Sequence, residues 1–273
     1  MECLDLTGIV MTYNNPALLS RCLNTMFHYA QGLRRLIVID NSDVGDHRQS
    51  VDGICGALGW PIVEIRRYGT NDPNKNYAMA IDEAGTKYVA IMHDDLTFLP
   101  CCQNLWYQLH AVASATSVGM VGPSTDTADG FQNALRYDAP DMVKVHYLQS
   151  HCLMMRVDVF NELGGWAPIE ASCIDMSIKM WQAGYDIVVN RCAYVSHRGG
   201  ATYAHTTPGN FSALLLQWAE ETHNELIQIH GVKTYMDYCS RANEMGMVMM
   251  TCGSGGFQAI ASALSREPEP WTP

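Results

Sequence analysis

The sequence predicts an α/β fold in which a doubly wound, mostly parallel sheet is flanked by helices. Short apolar runs without polar alternation recur up to about residue 123, which is typical of strands covered on both faces. Helical periodicity fills the spacers between these runs, so strands and helices alternate along the chain. The predicted strands are Gly8–Met11, Leu36–Ile39, Pro61–Ile65, Tyr88–Met92 and Val118–Val121.

The first spacer carries the clearest helical signal. A helix is predicted to begin at Pro16, because the preceding asparagines suit a helix cap and proline fits the first turn. Its apolar residues recur at helical spacing and therefore share one face that is expected to be buried. These residues are Leu18, Leu19, Cys22, Leu23 and Met26.

Beyond Pro123 the regular alternation stops. Residues 124–142 contain four Asp, two Thr and one Gly and are predicted to form a long loop. The elements expected next are a strand Lys144–Arg156, a short helix from Val157, a helix near Asp175–Ala183 that ends at Gly184, and a strand Tyr185–Asn190. The chain is predicted to be helical past Gly209. We therefore expect a domain 1–205, with halves 1–123 and 124–205, and a helical extension 206–273.

Composition narrows the class of protein. The 273 residues are 48% hydrophobic, and the formal net charge of −11 makes nucleic acid a less natural partner. No apolar run is long enough for a transmembrane segment, and no signal peptide is recognised, so a cytoplasmic protein is expected. The ten cysteines lack paired C-x2-C spacing, which favours free thiols over zinc or a disulfide framework. The sequence leaves the oligomeric state open.

Polar residues gather where the predicted strands end. Thr12-Tyr13-Asn14, Asp40-Asn41-Ser42 and His93-Asp94-Asp95 each follow a strand, and Asn74–Ala78 precedes the fourth. Ligands of open α/β sheets bind at this edge. Adjacent carboxylates repel each other unless a cation or basic group lies nearby, and Mg²⁺ and Mn²⁺ prefer oxygen ligands. The alternative for Asp94-Asp95 is a solvated loop or a helix cap.

Taken in order, several segments resemble family 2 glycosyltransferases, the large inverting group with the GT-A fold. The resemblance spans residues 6–205. It is carried by Ile9–Asn14, Arg35–Ser42, Lys75–Ala78, Tyr88–Pro100, Cys152–Trp166, Asp175–Ile187 and Val195–His197. It implies a GT-A fold, a nucleoside diphosphate sugar donor of UDP or GDP type, Mn²⁺ or Mg²⁺ as cofactor, and a glycan, protein or small molecule as acceptor.

The resemblance also implies roles for individual residues. Asp95 and His197 would hold the metal, and His93 takes the place of the first aspartate of the family's DxD motif. The family's acidic pair falls on Ser172-Cys173, so the general base is expected at Asp175, with Glu170 second; a helix cap is the alternative for Asp175. The residues that the resemblance implies for binding the sugar-nucleotide donor are Thr12, Tyr13, Asn14, Asp40, Asn41, Lys75, Asn76, His93 and Asp94.

The sequence leaves three alternative functions. A sugar nucleotidyltransferase would need a glycine-rich basic loop after the first strand, and Thr12–Pro16 contains none. A non-catalytic protein that binds nucleotide sugars or glycans is favoured by the missing acidic pair. A zinc or redox role for the cysteines is the most distant alternative.

Overall fold

The computed structural model describes residues 3–70, 72–128, 130–136, 139–169, 172–198 and 211–244. Two short 3₁₀ turns, Pro100–Asn104 and Gly130–Gln132, accompany the helices and strands. In chain order the helices and strands are β1 (Leu6–Thr12), α1 (Pro16–Tyr29), β2 (Arg35–Asp40), α2 (Gly45–Leu58), β3 (Val63–Arg66), α3 (Pro73–Asp82), β4 (Tyr88–His93), β5 (Leu96–Thr97), α4 (Leu105–Ala113), β6 (Val118–Ser124), β7 (Met142–Val145), β8 (Cys152–Arg156), α5 (Val157–Glu162), α6 (Ser172–Ala183), β9 (Asp186–Tyr194), β10 (Ser196–His197), α7 (Phe211–His230) and α8 (Val232–Glu244).

The central sheet has eight strands in the order β3-β2-β1-β4-β8-β6-β9-β7. Strands β1 to β4 pair in parallel, as do β6 and β9, whereas β8 and β7 run antiparallel to their neighbours. The predicted α/β fold with a mostly parallel sheet is therefore confirmed. The carboxyl ends of β1, β2 and β4 meet at one edge of this sheet.

Alternate residues of the central strands face two separate hydrophobic clusters. Ile9, Ile37 and Val89 pack with the helices α3, α5 and α6 on one face. Val10 and Val38 pack with α1, α2 and α4 on the other. Because both faces are covered, the strands are apolar throughout, which is the pattern that predicted them.

The predicted opening of the first helix is confirmed. Asn15 caps α1 by accepting a hydrogen bond from the Leu18 amide at 3.3 Å, and Pro16 occupies the first helical position. The five residues of the predicted apolar face are the five buried residues of this helix.

One predicted strand was wrong. The range Lys144–Arg156 contains the end of β7 and the whole of β8, which lie apart in the sheet: β7 pairs with β9 at an edge, and β8 lies between β4 and β6. Polar residues between 146 and 151 separate the two apolar runs, and the chain turns there. The helix α6 begins at Ser172, three residues before the predicted Asp175, and Gly184 ends it with a φ of 80°.

The predicted helical extension contributes α7 and α8, which pack against the hydrophobic cluster on the face of the sheet covered by α3, α5 and α6. Leu226, Tyr235, Tyr238 and Cys239 are buried in it together with residues of α6 and β9. The proposed boundary at residue 205 lies outside the described residues. Among the helices described, none combines the length and the apolar character needed to cross a bilayer.

Candidate functional site

A two-stranded ribbon brings the end of β4 next to the end of β9. Strand β5 follows Asp95 directly, and it pairs antiparallel with β10 so that Leu96 lies opposite His197. The pairing places Asp95 and His197 side by side although they are far apart in the sequence. Their positions in the sequence alone do not predict this contact, because it depends on how the two short strands pair.

Together with His93, these two residues form a candidate metal cluster. One ligand atom from each of His93, Asp95 and His197 lies within 4.8 Å of the other two. Asp95 Oδ1 is buried and makes no hydrogen bond, although His197 Nε2 lies 3.1 Å away. A buried carboxylate oxygen without a hydrogen-bond donor is costly unless a cation balances it. Two imidazoles and one carboxylate are a donor set that suits Mn²⁺ and related transition metals, so these residues fit a divalent ion.

His197 is held in one orientation by two residues that follow β6. Its backbone amide donates to Asp126 Oδ1 at 2.7 Å. The Thr127 hydroxyl donates to the His197 carbonyl at 2.8 Å and lies 2.9 Å from His197 Nδ1. Since that hydroxyl has only one proton, we assign it as the acceptor of an Nδ1–H bond. The lone pair of a neutral His197 is then on Nε2, the atom that faces Asp95.

A further histidine lies against His197. The ring of His151 stacks on that of His197, with 4.5 Å between the centroids and 16° between the planes. His151 is 1% exposed, and its Nε2 accepts from Gln132 Nε2 at 3.3 Å. The Gln149 amide donates to Gln132 Oε1 at 3.0 Å, which fixes the orientation of that carboxamide.

Burial and neighbouring charge shift the pKa values of these groups in different directions. Burial lowers the pKa of His93 to about 4, so its imidazole is neutral at pH 7, as metal binding requires. Burial raises the pKa of Asp94 to about 7, with the Asp95 charge adding to the shift. Burial also raises the pKa of Asp95, but the imidazoles of His197 and His93 outweigh it, and the net pKa lies below the usual value. Burial holds the pKa of His151 well below its usual value.

The predicted donor-binding residues of β1 lie beside this cluster. The Thr12 hydroxyl donates to Asp94 Oδ2 at 2.6 Å and so links the end of β1 to the end of β4. Asn14 adopts a left-handed φ of 50°, which asparagine tolerates better than most residues. Its carboxamide and the Tyr13 hydroxyl both donate to Asp43, at 2.5 and 3.0 Å. Tyr13 is partly exposed, and it lines the cavity described next.

A small cavity opens between β1, β2 and α3. Its volume is about 270 Å³, and Met11, Tyr13, Asn41 and Pro73 line it. Asn41 Oδ1 accepts from Asn76 Nδ2 at 2.7 Å. Asn76 is fully buried, and its own Oδ1 has no hydrogen-bond partner.

Two other predicted donor-binding residues have different surroundings. Lys75 lies exposed on the first turn of α3, where Asp72 caps the helix. Asp40 is fully buried at its side chain and pairs with Arg67, whose Nε lies 2.7 Å from Oδ2. Its Oδ1 accepts from the Ser42 amide at 3.0 Å. In this conformation Asp40 orients Ser42 and Arg67, and no oxygen of its carboxylate is open to a ligand.

Asp175, the first candidate for the general base, lies inside a set of three donors. Its Oδ2 accepts from the Ala167 amide at 2.9 Å and from Lys179 Nζ at 2.8 Å. Its Oδ1 pairs with His230 Nε2 at 2.9 Å, and its side chain is 0% exposed. Burial raises the pKa of Asp175, but these donors outweigh it and leave the pKa below its usual value. Glu170, the second candidate, lies outside the described residues.

Several residues that shape the site were not predicted from the sequence. Asp126 and Thr127 follow the buried strand β6, just as Asp94 and Asp95 follow β4, so the same rule applied to β6 would have found them. Arg67 follows β3 in the same way. No sequence signal predicts that His151 stacks on His197.

Comparison with known proteins assigns the family. A sequence model described as Glycosyl transferase family 2 matches residues 7–164, which is more than half of the chain. The chain belongs to glycosyltransferase family 2. It is therefore a glycosyltransferase, and the nucleotidyltransferase alternative is set aside. No curated protein sequence matches the chain significantly.

Solved structures of glycosyltransferases share the fold of this family 2 chain. The mannosyltransferase PcManGT from Pyrobaculum calidifontis, in complex with GDP-Man and Mn²⁺, is 14% identical with a TM-score of 0.64, covering 96% of this chain and 81% of its own. GalNAc-T7 with UDP, GalNAc and Mn²⁺ is 13% identical with a TM-score of 0.64, covering 97% of this chain and 55% of its own. TarS 1–349 of S. aureus with UDP-GlcNAc is 16% identical with a TM-score of 0.56, covering 95% and 79%.

Proposed function

We propose that this glycosyltransferase moves a sugar from a nucleoside diphosphate sugar to an acceptor hydroxyl, with inversion and with a divalent metal, Mn²⁺ in preference to Mg²⁺. The observation that carries the proposal is the cluster of His93, Asp95 and His197 at the carboxyl edge of the sheet. Ligands of open α/β sheets bind at this edge. PcManGT and GalNAc-T7, which share the fold, were both solved with Mn²⁺.

The choice of metal follows from the ligand atoms. The sequence analysis assigned His93 to the donor, but its position beside Asp95 and His197 supports a role as a metal ligand. Imidazole nitrogen suits Mn²⁺ and later transition metals better than Mg²⁺, which prefers oxygen and keeps its water. When bound, the ion would stabilise the charge that builds on the leaving nucleoside diphosphate.

The neighbouring residues would bind the rest of the donor. We place the nucleoside at the cavity beside Asn41 and Tyr13, where a partly exposed aromatic ring and a carboxamide meet. Asp94 and Thr12 lie between this cavity and the metal cluster and would contact the ribose or the phosphates. Lys75 is exposed and would carry a point charge toward the diphosphate. Asp40 would act by holding Arg67 and Ser42 in place.

Inverting transfer also needs a general base to deprotonate the acceptor hydroxyl. A base needs an accessible oxygen and a pKa near the working pH. Asp175 is buried and bound to three hydrogen-bond donors, and its pKa lies below the usual value. These observations favour a structural role for Asp175 and leave Glu170 as the candidate for the base.

The test measures thermal stabilisation by UDP and GDP, each with Mn²⁺, with Mg²⁺ and without metal. A ligand that binds only the folded state stabilises it by about 2.7 kcal/mol at 100 times its Kd. We expect one nucleotide to raise the melting temperature in the presence of Mn²⁺, and to raise it less with Mg²⁺. The variant Asp95→Asn should lose the Mn²⁺-dependent part. Its matched control is Asp46→Asn, which changes an exposed acid in the first turn of α2, outside the cluster and the cavity.

Hydrolysis or transfer of the matching sugar nucleotide then separates an enzyme from a binding protein. We expect Mn²⁺-dependent release of the nucleoside diphosphate by the wild type and not by Asp95→Asn. Nucleotide binding that is indifferent to Mn²⁺ and to Asp95→Asn would contradict the metal site. Tight binding without any turnover across acceptors would favour a non-catalytic, nucleotide-sugar-binding protein.

A further inference from the structure

His197 is fixed at its backbone and at one ring atom, but its ring plane needs another contact. The bonds to Asp126 and Thr127 set the position of the main chain and of Nδ1. A ring held through one nitrogen can still tilt about that bond. A contact on the face of the His197 ring is therefore needed to keep Nε2 pointing at Asp95.

The contact on that face comes from His151, which nothing in the proposed chemistry uses. The two rings are nearly parallel at 4.5 Å, and such packing restricts the tilt of the His197 ring. His151 itself is fixed, because it is buried and its Nε2 accepts from Gln132. Gln132 is oriented in turn by the Gln149 amide. A chain of contacts thus runs from the backbone at residue 149 to the face of a metal-ligand ring.

The sheet places His151 at this point. The His93 amide donates to the His151 carbonyl at 2.9 Å, which extends the pairing of β4 with β8 by one residue. The insertion of β8 beside β4 therefore brings His151 to the end of β4, the strand that ends in His93 and is followed by Asp95. Its Nε2 is taken up by Gln132, so this nitrogen is not available as a further ligand.

We propose that His151 is a positioning residue: its flat, buried ring holds the plane of His197 and so preorganises the metal cluster. The inference rests on the proposed metal site and adds a residue outside its ligands. Residues that orient metal ligands typically change metal affinity by about 10–100-fold when they are replaced.

The test compares two replacements of similar volume, one flat and one not. His151→Phe keeps a planar ring against His197, whereas His151→Leu fills the space without one. Both remove the acceptor of Gln132, so that loss is the same in each. Mn²⁺ affinity is measured from the electron paramagnetic resonance signal of the free ion, and the visible spectrum of bound Co²⁺ reports the ligand geometry. The control is His110→Leu, which removes a ring contact with Tyr88 away from the cluster.

We expect His151→Leu to bind Mn²⁺ about tenfold more weakly or worse and to alter the Co²⁺ spectrum, while His151→Phe and His110→Leu stay close to wild type. The melting temperature of each variant is also measured without metal, because a purely structural role of His151 would change this temperature alone. If His151→Leu lowers only the melting temperature and leaves affinity and spectrum unchanged, the positioning role is wrong. If His151→Phe loses as much affinity as His151→Leu, the flat ring is not what matters, and the inference also fails. If the wild type binds no Mn²⁺, the proposed metal site fails first, and the inference falls with it.

Discussion

At the scale of single residues, the carboxylate of Asp175 is a buried charge bound by three donors. It lies in the first turn of α6, where the helix dipole also favours a negative charge. Lys179, His230 and the Ala167 amide each donate to it. This arrangement joins α6, the turn after α5 and the end of α7. A carboxylate bound in this way stabilises the fold and is a poor proton acceptor.

We therefore expect Asp175→Asn to lower the free energy of unfolding by about 3–5 kcal/mol, the usual cost of removing one partner from a buried charge pair. Urea denaturation at pH 7 measures the change. The matched control is Asp5→Asn, whose pair with Arg34 is at least half exposed on both sides and contributes about 0–1 kcal/mol. Loss of sugar transfer in Asp175→Asn with unchanged stability would instead make Asp175 the catalytic base.

The pH dependence has a definite sign. The pKa of Asp175 is lower in the folded chain than the ordinary value of about 3.9 in the unfolded chain. Its stabilising effect is therefore complete above that ordinary value and is lost as the pH falls through the folded pKa. The difference in stability between wild type and Asp175→Asn should shrink in the same acid range.

The residues of the site show what the sequence could predict. The positions of Thr12, Asn41 and Asp95 at strand ends could be predicted, because the end of a strand is visible in the pattern of apolar residues. The pairing of Asp40 with Arg67, and of Asp175 with His230, was not visible. Those contacts join residues whose separation in the sequence carries no information about their distance in the fold.

At the scale of elements, β1 is packed so closely at Gly8 that a side chain there would displace its neighbours. A Cβ added at Gly8 would lie 2.8 Å from Leu33 Cδ1 and 2.9 Å from Met92 Cε. Both neighbours belong to the cluster between the sheet and helices α1, α2 and α4. The strand that carries Thr12 is thus held on this face by atoms in direct contact with its backbone.

Gly8→Ala is expected to lower the free energy of unfolding by about 1–3 kcal/mol, because the neighbouring side chains must move to admit the methyl group. Gly53→Ala is the counterpart. Gly53 lies within α2, and a Cβ there would meet nothing within 4 Å. Alanine is favoured over glycine in a helix by about 0.8–1.0 kcal/mol, so this variant should be stabilised. Equal effects of the two substitutions in chemical denaturation would contradict the packing described for β1.

The elements also show why one prediction failed. The strands β1, β2 and β4 were predicted correctly because each is an uninterrupted apolar run between polar residues. The range Lys144–Arg156 was predicted as one strand, but it holds two apolar runs that pair with different partners, β9 and β4. Pairing partners depend on the whole sheet, and a local pattern does not contain them.

At the scale of the whole molecule, α7 and α8 complete the hydrophobic core. Leu226 of α7 is 0% exposed and packs in the same cluster as Ile9 of β1. The Tyr238 hydroxyl of α8 donates to the His146 carbonyl at 2.7 Å. These contacts make the two helices part of the fold that holds the site, and we expect them to unfold together with the sheet.

Leu226→Ala tests this expectation. Removing a fully buried leucine side chain costs about 2–5 kcal/mol, so the melting temperature of the whole chain should fall in a single transition. Ile229→Ala on the same helix is the control, because Ile229 is 44% exposed and surface substitutions usually change stability by about 0.5 kcal/mol or less. A separate early transition in Leu226→Ala, with the rest of the chain unaffected, would show that the helices form an independent unit.

The ribbon of β5 and β10 has a consequence for how a metal would be bound. Asp95 and His197 are the two ends of a long loop of chain, and bringing such ends together costs conformational entropy that grows with the logarithm of the loop length. The pairing of Leu96 with His197 already closes this loop when the chain folds. An ion arriving at the folded protein therefore does not bear the cost of closure. Its affinity reports the quality of the local ligands, whereas chelation should leave the loop closed and the sheet intact.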